Sequence, residues 1–342
     1  MENIETEVHG DAKKSMRAVL TGMDTKPAMS LALMLESIGY EVFMLTDSAM
    51  KNYHKKGYTG GVEAALLKNM GYAVADIKPT ESVEGDIFFD LKLKDLQSML
   101  KIHPELNGAL YVINGGWDDY EDYGNYFPTI TNNFWIKNAF HVYSPMVGKP
   151  MKVKDKPGTE PPIDLLHNAY NWGFGTYLDD IIAKTGLRVF GSYGSPMGLI
   201  HNDDVEEYLH KTIAFVHIKS SDCPGWALWE AFATGTPVVV PSLFIKRMHF
   251  EDLYIDGETC VTWGDNLFED ILHEPGIFKE FIDREMPKAI EELTQKVEKL
   301  KDPEYNTKIG MGGHKKWKEL TEWTEAKQQA LKDYLNNYHA QV

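Results

Sequence analysis

Short apolar runs alternate with longer segments of helical period along most of this chain, and that alternation limits the fold more than any single motif. RAVLTG (17–22), EVFML (41–45), DIFFD (86–90) and GALYVI (108–113) read as strands. Between them KPAMSLALMLESIGY, GGVEAALLKNMGY and LKDLQSMLKIH repeat apolar residues at helical spacing. Strands and helices of this size, taken in turn, join as parallel βαβ units and build a doubly wound sheet. The stretch VGKPMKVKDKPGTEPP (147–162), rich in proline and lysine, interrupts the pattern and reads as an interdomain linker. Alternation resumes in IDLLHNA, GTYLDDIIAKTG, LRVFG, DDVEEYLHKT, IAFVHI, PVVVPS and CVTWG, and the chain closes on two long helical stretches.

A length of 342 residues suits two domains. The expected division is 1–150, with 1–15 a loose polar tail, then 151–322, with 323–342 a last helix able to cross back to the first domain. The expected class is α/β, with two Rossmann-like doubly wound domains facing across a cleft at the carboxyl ends of their strands.

Hydrophobic residues make up 43% of the chain, enough for real cores. A formal charge of −16 argues against a general grip on nucleic acid, which needs clustered Lys and Arg. Cys223 and Cys260 have no metal-type spacing, so neither a disulfide framework nor a zinc site is expected. No apolar run reaches the roughly 20 residues that span a bilayer, and the acidic N-terminus resembles neither a signal peptide nor an anchor. The expected setting is cytoplasmic.

The chemistry concentrates in DCPGWALWEAFATGTPVVVPS (222–242). Asp222 precedes a Pro-Gly turn, and one carboxylate, Glu230, sits inside an otherwise apolar helical segment. Residues eight apart lie about 80° from each other on a helix. A carboxylate can accept both hydroxyls of a ribose, and the free N–H groups of a helix start, here Gly225, Trp226 and Ala227, suit a diphosphate. The plainer roles stand beside these: Glu230 as a surface carboxylate, Asp222 as a helix cap, Trp226, Trp229 and Trp263 as core, and His141 and His167 as hydrogen-bonded structural residues.

The order of these features, with WEAFATGTPVVVPS followed by YIDGETCVTW, resembles the nucleotide-sugar-binding half of retaining glycosyltransferases of the GT-B architecture, family-4-like, over about 130 residues from Leu187 onward. The resemblance implies a nucleotide-diphosphate sugar as donor, such as a UDP-sugar, an unidentified acceptor, retention of configuration, and no metal or other cofactor. It places Glu230 on the ribose and Asp222 at the donor sugar as the catalytic residue. Gly191 and Ile200 fall on the donor side. The family's Arg and Lys for the diphosphate have no counterpart in LLHNAYNWGFG (165–175), where only His167 could carry charge, so Lys246 and Arg247 are the expected substitutes. Trp117 and Tyr120, in an aromatic-rich segment (114–135), are expected at the acceptor, because aromatic faces stack on sugars and bases. Two other readings remain: a phage-type enzyme that glycosylates a modified DNA base, and a non-catalytic protein that keeps nucleotide-sugar binding.

Overall fold

The computed structural model describes residues 16–20, 25–45, 74–75, 87–90, 96–97, 100–101, 107–112, 123–134, 136–147, 150–165, 175–191, 196–200, 202–219, 226–267 and 278–339. The chain divides into two compact units, Met1–Leu110 with Glu325–Val342, and Tyr111–Thr324.

Strands β1 (Met16–Leu20), β2 (Tyr40–Leu45), β3 (Val74–Ala75) and β4 (Ile87–Asp90) of the first unit and β5 (Gly108–Val112), which passes into the second unit at Tyr111, lie in the order β3-β2-β1-β4-β5. All pair in parallel. Helix α1 (Thr25–Ser37) follows β1, and its buried Ala28, Leu31, Ala32 and Leu35 recur at helical spacing as the sequence predicts.

That sheet continues from β5 into β6 (Thr129–Thr131) and β7 (Phe140–His141), a short parallel pair in the second unit that brings it to seven strands. The second unit's main sheet runs β12-β11-β10-β8-β9, from β8 (Ile163–Leu165), β9 (Arg188–Phe190), β10 (Phe215–Val216), β11 (Val238–Pro241) and β12 (Val261–Trp263). These pairings are parallel throughout. The connecting helices are α2 (Leu178–Thr185), α3 (Val205–Lys211), α4 (Trp226–Ala233) and α5 (Ser242–Met248). Then come α6 (Phe278–Lys299) and α7 (Pro303–Thr321), while α8 (Glu325–His339) belongs with the first unit. Strands buried on both faces need unbroken apolar runs, and Val238, Val239 and Val240 are all fully buried.

The proline-rich stretch read as a linker lies within the second compact unit. Backbone hydrogen bonds tie that stretch to the second unit: Lys154 N–H to the Thr234 carbonyl at 3.0 Å, and the Thr159 and Glu160 N–H groups to the Lys211 carbonyl at 2.9 Å. A Cβ on Gly158 would stand 2.0 Å from the Thr212 carbonyl oxygen, so glycine is what lets the chain lie this close. Proline and lysine composition alone does not separate an edge-docked segment from a solvated tether.

Residues 198–200 form no strand. The chain turns back there, with Gly191 N–H donating to the Gly198 carbonyl at 2.8 Å.

Candidate functional site

Helix α4 is buried nearly all round, and Glu230 is its one charged residue, 6% exposed between Trp229 and Ala231. The bulky faces explain the neighbours. Trp229, Phe232, Phe244, Phe250 and Tyr143 form one apolar cluster, and the Trp229 indole N–H donates to the Ser144 carbonyl at 3.1 Å. The helix ends where the sequence says it must. Gly235, at φ 67°, donates to the Phe232 carbonyl at 3.1 Å, and Thr236 N–H reaches the Ala231 carbonyl at 2.9 Å. This paired closure needs a left-handed residue, which glycine adopts without cost, and Pro237 then starts the next strand.

In an open α/β sheet the ligand crevice forms outside the carboxyl ends of the strands, where the strand order reverses. Here β9 lies on one side of β8 while β10, β11 and β12 follow on the other, so the reversal lies between β8 and β10. A small cavity of about 30 Å³ opens at that position, lined by Asp164 and Leu165 at the end of β8, His217 and Lys219 past the end of β10, and Ala227 and Leu228 in the first turn of α4.

Two polar atoms in this lining have no partner among the described residues. The Asp164 side chain is fully buried; Oδ2 accepts the Ile218 N–H at 3.3 Å, while Oδ1 has no hydrogen bond. His217 is buried with Nε2 unbonded and its ring edge-on to Phe244 at 4.7 Å. Burial pushes the Asp164 carboxyl up to about 7, against the opposing pull of Lys219 and of the Ile218 and Leu165 N–H groups. Burial, aided by Lys219, holds the His217 imidazole well below its ordinary value, so it is neutral. A space of this size with polar walls takes one water, or a single hydroxyl of a larger ligand seated in the crevice outside it.

The sequence-predicted residues are spread unevenly. Ala227 lines the cavity and Glu230 lies one turn further along the same helix, with Trp226 half-buried at its start. Gly191 follows β9, and Ile200 packs half-buried against the cluster around Trp229. Lys246 is exposed on α5, the helix that also carries Arg247, and is not among the described residues that line the cavity. Asp222, Gly225, Trp117, Tyr120, His167, Cys223 and the Arg247 side chain lie outside the described residues. His141 bonds the Ile136 carbonyl at 2.8 Å through Nε2 and stacks on Phe134, a structural role.

Sequence reasoning missed Asp164, His217 and Lys219. Each is a polar residue in or just beyond an apolar strand run, PPIDLL or IAFVHIK, and that interruption is the signal that could have marked them. Among the described residues no cluster of three metal-ligating side chains occurs, and no helix is long and apolar enough to cross a membrane.

No family model matches this sequence, and neither does any curated protein. Solved structures do match. Sucrose-phosphate synthase from Thermosynechococcus elongatus is similar over 96% of this chain and all of its own, at 10% identity and a TM-score of 0.55. The lipopolysaccharide outer core galactosyltransferase WaaB is similar over 94% of this chain and all of its own, at 11% identity and a TM-score of 0.54. With TarM the match covers 73% of this chain and 54% of that one, at 11% identity and a TM-score of 0.49. Two parallel doubly wound sheets, and full-length likeness to a sucrose-phosphate synthase and a galactosyltransferase, give this chain the GT-B fold.

Proposed function

We propose that the chain is a glycosyltransferase that takes a nucleotide-diphosphate sugar at the strand-order reversal of its second unit and passes the sugar, with retention, to an acceptor. One observation carries this reading: the motif helix α4, with Glu230 buried in it, starts against the cavity between β8 and β10. Glu230 is assigned to the ribose hydroxyls, for which a bidentate acceptor is the natural partner. The start of α4 directs its first N–H groups and a favourable dipole to the diphosphate. Lys219, past the end of β10 and lining the same cavity, is assigned the cationic role in place of Lys246 and Arg247. Stabilising the charge on the departing diphosphate is the main electrostatic task of such a transfer. Asp222 is assigned to the donor sugar, and Trp117 and Tyr120 to the acceptor.

The test is a thermal-shift and calorimetric screen of UDP-, GDP- and ADP-sugars. At least one should raise the melting temperature, and Glu230→Ala should weaken its binding at least tenfold. If none of the three binds, the donor assignment fails; if Glu230→Ala binds as tightly as the unaltered chain, the ribose role fails.

A further inference from the structure

A second polar cavity, of about 420 Å³, lies in the second unit and shares no residue with the one at the strand-order reversal. Lys296 and Lys299 on α6, Lys308 and Tyr305 on α7, and Asp256 and Gly257 of the DGET turn line it. The turn is tightly built: Asp256 Oδ1 accepts the Thr262 N–H at 2.8 Å, and Gly257, at φ 75°, donates to the Cys260 carbonyl at 2.9 Å. A Cβ on Gly257 would meet nothing within 4 Å, so this wall faces open space.

The lysines are weakly satisfied. Lys296 Nζ is 4.0 Å from Asp256 Oδ2 and 3.8 Å from Glu292 Oε1, both at the outer limit of an ion pair. Lys299 Nζ rests over the Tyr305 ring, 4.1 Å from its centroid, which fixes the ammonium in place without neutralising it. Among the described residues Lys299 and Lys308 have no carboxylate partner, and the Tyr305 hydroxyl has no hydrogen bond. Three ammonium groups thus line the cavity with a single carboxylate, in a chain whose formal charge is −16. Such a positive concavity on an acidic protein concentrates anions.

We propose that this cavity binds a phosphorylated anion of at least two negative charges, a diphosphate or a phosphate monoester. Several ammonium groups, each a compact charge with three donors, suit the spread oxygens of phosphate better than a lone carboxylate. The Tyr305 hydroxyl supplies a further donor. The site uses none of the residues assigned to the sugar donor.

The experiment is calorimetry on the full chain at 0.15 M salt, with inorganic pyrophosphate in one arm and phosphatidylcholine vesicles containing phosphatidic acid in the other. The unaltered chain should bind in at least one arm. Lys299→Gln/Lys308→Gln should bind at least tenfold more weakly with an unchanged melting temperature, whereas Lys219→Gln should keep this binding. Pyrophosphate binding alone identifies a soluble phosphate compound; vesicle binding displaced by pyrophosphate identifies a headgroup. Absence of binding in both arms, or equal binding by the double variant, overturns the proposal. Lys308→Glu serves as the second variant should the double one melt lower, and it too must lose the anion.

Discussion

Trp229 and Ser144, 85 residues apart in sequence, are joined by an indole N–H to carbonyl hydrogen bond of 3.1 Å, and the Ser144 hydroxyl in turn shares a 2.8 Å hydrogen bond with Tyr111. The residue next to Glu230 is therefore held from outside its own helix, by the segment that opens the second unit. Trp229→Phe keeps most of the apolar contact and leaves a buried carbonyl without its donor, at a cost of about 1–3 kcal/mol. Trp229→Ala adds a cavity and should cost about 3–5 kcal/mol. Urea midpoints of the two variants give both values; equal losses would show that packing alone matters there.

The glycines of IGMGGHKKW serve helix packing. A Cβ at Gly310 would lie 2.1 Å from the Gly235 carbonyl oxygen, one at Gly312 2.1 Å from that of Glu258, and one at Gly313 2.5 Å from that of Thr259. Helix propensity favours Gly→Ala by about 0.5–1 kcal/mol. Overpacking against backbone costs about 1–3 kcal/mol and decides the sign. Gly310→Ala and Gly313→Ala should lower the melting temperature, while Met311→Ala, at a side chain 42% exposed, should leave it nearly unchanged.

Asp164 and His217 give opposite pH dependences. The folded carboxyl of Asp164, at about 7, exceeds its unfolded value near 3.9, so its contribution is intact below pH ~4 and is lost as pH rises to about 7, about 1.4 kcal/mol per unit. The His217 imidazole titrates below its unfolded value near 6.5, so its contribution is intact above that pH and lost on acidification. The two slopes have opposite signs and oppose each other as pH falls below ~6.5. Asp164→Asn should be more stable than the unaltered chain at pH 8 and should lose stability from pH 6.5 to 4.5. His217→Gln should instead gain stability over that range. Chemical denaturation at these three pH values would show the pattern; identical pH profiles in all three proteins would contradict it.

Lys219→Gln and Lys246→Gln separate two cations in the proposed donor site. Loss of a charge-assisted hydrogen bond costs about 1.5–3 kcal/mol, or roughly 10- to 100-fold in affinity. That loss should appear in nucleotide-sugar titrations of Lys219→Gln and be small in Lys246→Gln. The reverse ranking would return the role to α5.

Local pattern by itself determined much of this protein. The spacing of apolar residues defines the parallel α/β class, since a helix of period 3.6 and a fully buried strand leave different traces. Gly235, Thr236 and Pro237 announce the end of α4, because a left-handed cap followed by proline is a local event. Glu230 could likewise be singled out, as a charge in a helix apolar on every side. Tertiary structure alone decided which strands are neighbours. The reversal between β8 and β10 brings Asp164 and His217 to one cavity and makes Lys219 the cation there, a relation that depends on pairing between distant segments. It also decided that glycines 310, 312 and 313 fit helix to backbone, since close approach is a property of two surfaces and one sequence segment describes only one of them.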